Sequence, residues 1–140
     1  MNISTAETDE DIAATFDVMH QLRPDLARVD YVPLVRELME SDGFRIAFLR
    51  EDGAVRAVAG FRIMRMLYCG SILYVDDLVT DDGVRSRGHG KALLDWLKAE
   101  GRRVGCSEIQ LISRVTREQA HRFYFREGLA IECFHFRSKL

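Results

Sequence analysis

The sequence has few cysteines, few prolines and no long apolar run. Its three cysteines are odd in number and widely spaced, which excludes a disulfide framework and the short ligand spacing of a zinc knuckle. We therefore expect buried, reduced thiols and no metal site. No apolar stretch approaches the ~20 residues of a membrane-spanning helix, and the N-terminus lacks the basic and apolar regions of a secretory signal. These absences favour a cytoplasmic protein.

Strong charge of either sign is also lacking. The formal net charge is −2, charged residues make up 30% and hydrophobic residues 47% of the 140 residues. A nearly neutral chain has no bulk attraction to nucleic acid or to an anionic membrane, so we expect neither as a partner. The length and composition are those of one globular domain, which we place at residues 1–140.

Periodicity and turn signals predict an order of strand, two helices, three strands, helix, strand, helix, strand. Thr8 and Asp11 form a capping box, which predicts one helix from there to Pro24. The second helix runs from Asp30 to Gly43, and the later helices lie at residues 91–100, with Gly101 as the C-cap, and 118–127. We place the strands at residues 1–6, 44–50, 54–67, 72–80, 108–113 and 130–137, with a hairpin turn at residues 51–53.

This order predicts an α+β fold. Three consecutive strands between residues 44 and 80 form an antiparallel meander, and the strand–helix–strand unit at residues 72–113 needs a crossover, hence a parallel pair. The result is a mixed, mostly antiparallel sheet of six to seven strands flanked by four helices.

The most informative segment is the loop at residues 81–90, between a strand and a helix. A helix N-terminus carries unpaired N–H groups and partial positive charge. Gly88 and Gly90 let an anion approach the backbone closely, and Arg85, Arg87 and Lys91 add positive charge. The segment therefore predicts a phosphate or pyrophosphate site.

Two common phosphate-binding motifs do not fit this loop. A P-loop needs Lys directly after its second glycine, but His89 follows Gly88. A dinucleotide fingerprint needs Gly or Ala three residues after Gly90, but Leu93 is there. What remains is the pattern Arg-x-x-Gly-x-Gly.

That pattern, formed by Arg85, Gly88 and Gly90, resembles the pyrophosphate loop of the GNAT superfamily of acyl-CoA N-acyltransferases. Residues 76–80 are similar to the family's fourth strand and residues 93–94 to the start of its next helix. Residues 120–129 resemble its second signature, Ala-x-x-Phe-Tyr-x-x-x-Gly-Phe. The family often has glycine where Ser86 stands here. The resemblance covers nearly the whole chain.

The resemblance implies an acetyl-CoA-dependent N-acetyltransferase, with acetyl-CoA as the donor cosubstrate. It implies that backbone amides of the loop hold the pyrophosphate, and that backbone groups of a strand hold the pantetheine arm and polarise the thioester. His89 has two open interpretations, a phosphate contact or an exposed side chain. The implied cofactor-binding residues are Leu78, Val79, Arg85, Arg87, Gly88, His89, Gly90 and Lys91.

The resemblance also implies catalytic residues. Tyr124 matches the family's proposed general acid, and a phenol remains protonated at neutral pH. Asp76 and Asp77 are the candidate bases. Because side chains alternate on a strand, we expect only one to face the cleft, and Asp76 ranks first because it would share a face with Tyr74. A structural role for both carboxylates, with proton transfer through water, is the alternative.

For the acceptor, we expect the primary amine of a small or amino-acid-like molecule, and Arg62 and Arg65 are candidates to meet its carboxylate. Acetylation of a protein amine, a non-catalytic acyl-CoA sensor and a nucleotide-binding protein are the alternatives. The alternating C-terminal strand is compatible with pairing across a homodimer.

Overall fold

The computed structural model describes residues 1–140, which divide into two compact units, Met1–Gln110 and Leu111–Leu140. The assignment of the whole chain to one domain stays a prediction. No helix is both long enough and apolar enough to cross a membrane.

The first unit contains most of the secondary structure. Its helices and strands, in chain order, are β1 Asn2–Thr5, α1 Asp9–Ala14, α2 Phe16–Leu22, α3 Arg28–Asp42, β2 Arg45–Glu51, β3 Ala54–Met66, β4 Gly70–Thr80, a 3₁₀ turn at Asp82–Val84, α4 His89–Arg103 and β5 Glu108–Leu111, whose last residue belongs to the second unit.

The sheet has the order β1-β2-β3-β4-β5. The first three pairings are antiparallel. β5 lies beside β4 and is reached through α4, and such a crossover gives a parallel pair. The predicted α+β class with a mixed, mostly antiparallel sheet is confirmed, although the sheet has five strands and the chain has five α-helices.

A two-residue turn sets the register of β2 against β3. Asp52 and Gly53 both have positive φ, 53° and 75°. This is the geometry of a type I′ hairpin turn, which Asp-Gly favours. The turn predicted at residues 51–53 is therefore confirmed.

Helices cover both faces of the sheet. Since side chains alternate along β2, Ile46 and Phe48 point to one face, where they join the buried cluster formed by α1, α2 and α3. On the other face, Phe61 contacts Trp96 of α4 edge-on, with ring centroids 6.2 Å apart.

The first predicted helix is interrupted. α1 ends at Ala14 and α2 begins at Phe16, although the capping box between Thr8 and Asp11 is present as predicted. The buried Thr15 lies at the break. Its hydroxyl donates to the carbonyl of Ile12 at 2.7 Å and bonds the hydroxyl of Tyr31 at 2.7 Å. A threonine hydroxyl that bonds the preceding turn competes with the helix hydrogen bonds.

α4 is longer than predicted at both ends. It runs through Gly101, which the sequence suggested as its C-cap, and ends at Arg103. Gly101 is buried inside the helix, and a β-carbon there would lie 3.5 Å from the β-carbon of Leu73. Gly105, with φ of 88°, adopts the left-handed conformation after the helix instead.

The second unit contains α5, Glu118–Arg126, close to its predicted bounds. The strand predicted at residues 130–137 is wrong, because no strand forms there. The expectation of buried cysteines is also wrong. Cys69 and Cys106 are half-buried and Cys133 is exposed.

Candidate active site

The loop between β4 and α4 has the backbone shape of an anion-binding turn. Ser86 and Gly88 adopt left-handed conformations, with φ of 67° and 82°. α4 begins directly afterwards at His89, and its first helical hydrogen bond runs from the amide of Ala92 to the carbonyl of Gly88. The amides of His89 and Gly90, which precede it in the first turn, therefore have no carbonyl partner four residues back in the helix.

The basic side chains of the loop are exposed. Arg85 pairs with Asp82, and Lys91 bonds Asp95 at 2.7 Å. Arg87 is exposed as well. Exposed pairs of this kind are weak, so an incoming anion can replace the carboxylates.

His89 differs from its neighbours in the loop. The interpretation as an exposed side chain is wrong, because only 1% of His89 is accessible. Its Nε2 lies 2.6 Å from Oε2 of Glu51 at the end of β2. This hydrogen bond is the main reason that the pKa of Glu51 is lowered. The side chain of His89 is thus directed away from the loop surface.

Leu78 and Val79 lie in the second half of β4, paired with Ala59 and Val58 of β3. β5 is four residues long, and the amide preceding it, that of Ser107, bonds the carbonyl of Ser71 at 2.9 Å. Since β5 starts beside the beginning of β4, the edge of β4 at Leu78 and Val79 has no neighbouring strand.

A β-bulge lies in the middle of β4. Gly60 pairs with Asp77 and the next residue of β3, Phe61, pairs with Val75, so Asp76 is the extra residue. A bulge interrupts strict alternation. Tyr74, paired with Arg62, therefore shares a face with Asp77, and the Asp76 carboxylate reaches the same face because Arg62 binds it.

Both carboxylates of the bulge are held by arginines. Arg62 binds Asp76 with two hydrogen bonds, of 3.0 and 2.6 Å. Arg23, which follows α2, donates to Oδ1 of Asp77 at 2.8 Å and to the carbonyl of Asp76 at 3.0 Å. The two carboxylates therefore lie in one charged cluster, and the bulge removes the strict alternation expected to separate them. Arg65 is exposed.

The surroundings of Asp77 shift its pKa. Burial raises the pKa of Asp77, and the hydrogen bond and charge of Arg23 oppose that shift. The side chain of Asp77 is only 14% exposed. Burial and the charge of Asp76 likewise raise the pKa of Tyr74. Asp77 thus combines a raised pKa with an oxygen, Oδ2, that accepts no hydrogen bond from Arg23.

Tyr124 lies on α5 in the second unit and is 9% exposed. Burial raises the pKa of its phenol, while Arg117 lowers it by its charge and by a hydrogen bond. The net shift is upward, so the phenol keeps its proton at neutral pH.

Comparison with known proteins decides the family. The profile described as "Acetyltransferase (GNAT) family" matches residues 8–129. The chain belongs to the GNAT acetyltransferase family. It is 33% identical over 129 residues to "Uncharacterized N-acetyltransferase YhdJ" of Bacillus subtilis, covering 91% of each chain.

Two further comparisons of this acetyltransferase, one with a relative and one with a solved structure, are informative. It is 35% identical over 97 residues to the aminoalkylphosphonate N-acetyltransferase of Salmonella typhimurium, covering 69% of this chain and 62% of that protein. Its fold is similar to that of aminoglycoside N-acetyltransferase AAC(6')-Iy, solved in complex with CoA, with a TM-score of 0.85 and 17% identity over 99% of this chain and 93% of that one.

Sequence analysis of this GNAT protein missed Arg23, Gly60 and Glu51. Gly60 carried a usable signal, because a glycine inside a strand often marks a close approach. A β-carbon there would lie 2.4 Å from Oδ2 of Asp77. Arg23 and Glu51 gave no signal, since their partners Asp77 and His89 are far away in the chain.

Proposed function

We propose that this GNAT protein transfers the acetyl group of acetyl-CoA to a primary amine, and that it binds the diphosphate of the donor at the loop before α4. The observation that carries the proposal is the pair of left-handed residues, Ser86 and Gly88, directly ahead of α4. Such a backbone presents several amides to one anion. The amides assigned to the diphosphate are those of Arg87, Gly88, Gly90 and Lys91, with the Arg85 side chain nearby.

The open edge of β4 supports the assignment of Leu78 and Val79 to the pantetheine arm. An extended chain can add to a sheet edge through main-chain hydrogen bonds. Their role is assigned to the backbone, since the side chain of Val79 is buried in the core.

In the chemical step, the acceptor nitrogen attacks the thioester carbonyl, an N–C bond forms and the C–S bond breaks. We assign Asp77 as the base that takes the amine proton, directly or through water. Arg62 occupies both oxygens of Asp76, whereas Asp77 is bound by Arg23 at one oxygen only and burial raises its pKa. A raised pKa makes a carboxylate a better base at neutral pH.

Tyr124 is assigned as the acid that protonates the departing thiolate. Its raised phenol pKa keeps Tyr124 protonated at neutral pH, and the phenol proton passes to the sulfur as the C–S bond breaks.

The acceptor that we propose is a small primary amine. Two similar proteins are named for small amine acceptors, aminoalkylphosphonates and aminoglycosides. In this chain, the Asp77 oxygen that Arg23 does not bind provides negative charge for an ammonium group. Acetylation of a protein amine is the competing proposal.

The first test combines CoA binding by calorimetry with CoA-thiol release on a panel of acceptors. The panel contains an aminoalkylphosphonate, an aminoglycoside, amino acids and a peptide with a free N-terminus. We expect binding, turnover on a small amine, and a Tyr124→Phe variant that binds CoA normally but turns over much more slowly. Tyr68→Phe, which alters an exposed tyrosine, is the matched control.

Three other results would contradict the proposal. Binding of CoA without turnover on any amine would favour a sensor. Turnover on the peptide alone would favour protein acetylation. Binding of ATP in preference to CoA in a thermal-shift competition would favour a nucleotide-binding protein.

We further propose a homodimer formed through the C-terminal segment of the second unit. Ile131, Phe134 and Phe136 are 70%, 87% and 90% exposed, and exposed apolar clusters mark interaction sites. Light scattering over a range of concentrations tests this, and a wild-type chain that stays monomeric would contradict it. The variant Phe134→Ser/Phe136→Ser is expected to shift the equilibrium to monomer.

A further inference from the structure

The β2–β3 hairpin contacts both ends of the loop before α4. At the start of the loop, the Asp81 amide donates to the carbonyl of Arg56 at 2.8 Å, and Nη1 of Arg56 lies 3.4 Å from Oδ2 of Asp81. At the other end, Glu51 bonds His89. Glu51 and Arg56 flank the Asp52–Gly53 turn, so one hairpin fixes both ends of the loop.

The contact at His89 is the tighter of the two. The His89 side chain is fully buried, and its Nε2 lies 2.6 Å from Oε2 of Glu51. Its second nitrogen, Nδ1, is buried and has no hydrogen-bond partner. A carboxylate only accepts hydrogen bonds, so Nε2 carries the proton and donates. The orientation of the ring is therefore held by one hydrogen bond.

Stability alone does not account for an imidazole at this position. A buried polar atom without a partner destabilises the folded state, and an apolar side chain of similar volume avoids that cost. His89 is the first residue of α4, so the bond from its ring to Glu51 restrains the backbone that carries the neighbouring amides of the loop.

We propose that Glu51 is a positioning residue for the donor diphosphate: through His89 it fixes the first turn of α4, so that the amides of Gly88, Gly90 and Lys91 converge on one anion. The inference rests on the proposed binding of coenzyme A at this loop. Glu51 acts through His89 and contacts no substrate.

The negative charge of Glu51 lets the direction of the change in CoA affinity distinguish two mechanisms. Glu51 is close enough to Arg87 to interact with it electrostatically, so its negative charge opposes a diphosphate at the same loop. If Glu51 acted by charge alone, its removal would tighten binding. If it acts by holding His89, its removal weakens binding.

The test measures the Kd for CoA by calorimetry at one ionic strength, together with kcat and KM for acetyl-CoA. For Glu51→Ala, we expect Kd and KM to rise about tenfold, the equivalent of one hydrogen bond to a charged group, while kcat at saturating acetyl-CoA changes much less. Glu51→Gln keeps an acceptor oxygen for Nε2 and should recover most of the lost affinity. Glu40→Ala removes the same charge from an exposed site on α3 and is the control.

A second variant keeps the test decisive if Glu51→Ala folds poorly. His89→Leu fills the same space without the hydrogen bond, and we expect the same loss of affinity. Wild-type affinity in either folded variant, or tighter binding by Glu51→Ala, overturns the inference alone. If the wild-type protein binds no CoA, the proposed function fails together with the inference.

Discussion

Gly60 of β3 faces Asp77 of β4 so closely that a β-carbon at position 60 would lie 2.4 Å from the Asp77 carboxylate and 2.5 Å from the Phe44 ring. The bulge at Asp76 creates this pairing. The absence of a side chain at position 60 thus makes the space in which the proposed base lies.

Gly60→Ala should therefore move Asp77 or Phe44. Forcing a methyl group into a packed site costs about 1–3 kcal/mol, and we expect a lower free energy of unfolding and a reduced kcat. Urea denaturation and steady-state kinetics measure the two effects. Unchanged kcat in a folded variant would show that the position of Asp77 is not needed for catalysis.

Gly101→Ala is also a glycine-to-alanine substitution, but we expect it to raise the free energy of unfolding. Position 101 lies inside α4, and the new β-carbon would make ordinary van der Waals contact with Leu73 at 3.5 Å. Replacing a helical glycine by alanine stabilises by roughly 0.5–1 kcal/mol. Urea denaturation should show a higher midpoint, with kcat unchanged. A lower midpoint would mean that the helix cannot accept the methyl group.

Ser86 and Gly88 both have positive φ, a conformation that glycine adopts easily. Introducing glycine at position 86 and removing it at position 88 should therefore have opposite effects on stability. For Ser86→Gly, relief of left-handed strain of about 1–2 kcal/mol exceeds the entropic cost of glycine, roughly 0.5–1 kcal/mol. We expect Ser86→Gly to be neutral or stabilising. Gly88→Ala should be destabilising and should raise the Kd for CoA. Tighter binding by Gly88→Ala would contradict the assigned loop.

Arg23→Ala tests the choice of base through pH. Arg23 lowers the pKa of Asp77 against the larger effect of burial, so removal of its charge raises that pKa further. A base acts only when deprotonated, and kcat/KM falls as pH drops through its pKa. The acid limb of the kcat/KM profile should therefore move to higher pH in Arg23→Ala.

The control for this shift is Arg36→Ala, which removes an exposed arginine that pairs with Asp9. We expect its profile to match that of the wild type. If the acid limb does not move in Arg23→Ala, Asp77 is not the base, and Asp76 or a water molecule accepts the amine proton instead.

The contribution of Asp77 to stability decreases as pH rises, whereas its activity as a base increases. Because the folded-state pKa is raised by burial, the contribution of Asp77 is fully present below the unfolded-state pKa and is lost as pH rises through the folded value. The difference in unfolding free energy between the wild type and Asp77→Asn should change in that window.

Local sequence signals predicted most of the first unit well. The Asp-Gly turn, the capping box at Thr8 and the glycine after α3 each act within a few residues, and each is present. These signals failed where contacts between residues far apart in the chain determine the structure. Thr15 breaks a helix in contact with Tyr31, and His89 is buried against Glu51.

The sequence by itself determined the α+β order, the loop before α4 and the family, because these depend on periodicity, on glycine and proline positions and on motifs of contiguous residues. The tertiary structure decided which carboxylate is buried, where the bulge lies and what holds His89. These depend on residues separated by 14 to 54 positions in the chain, and the free energy of burial and pairing between such residues is not encoded in any local pattern.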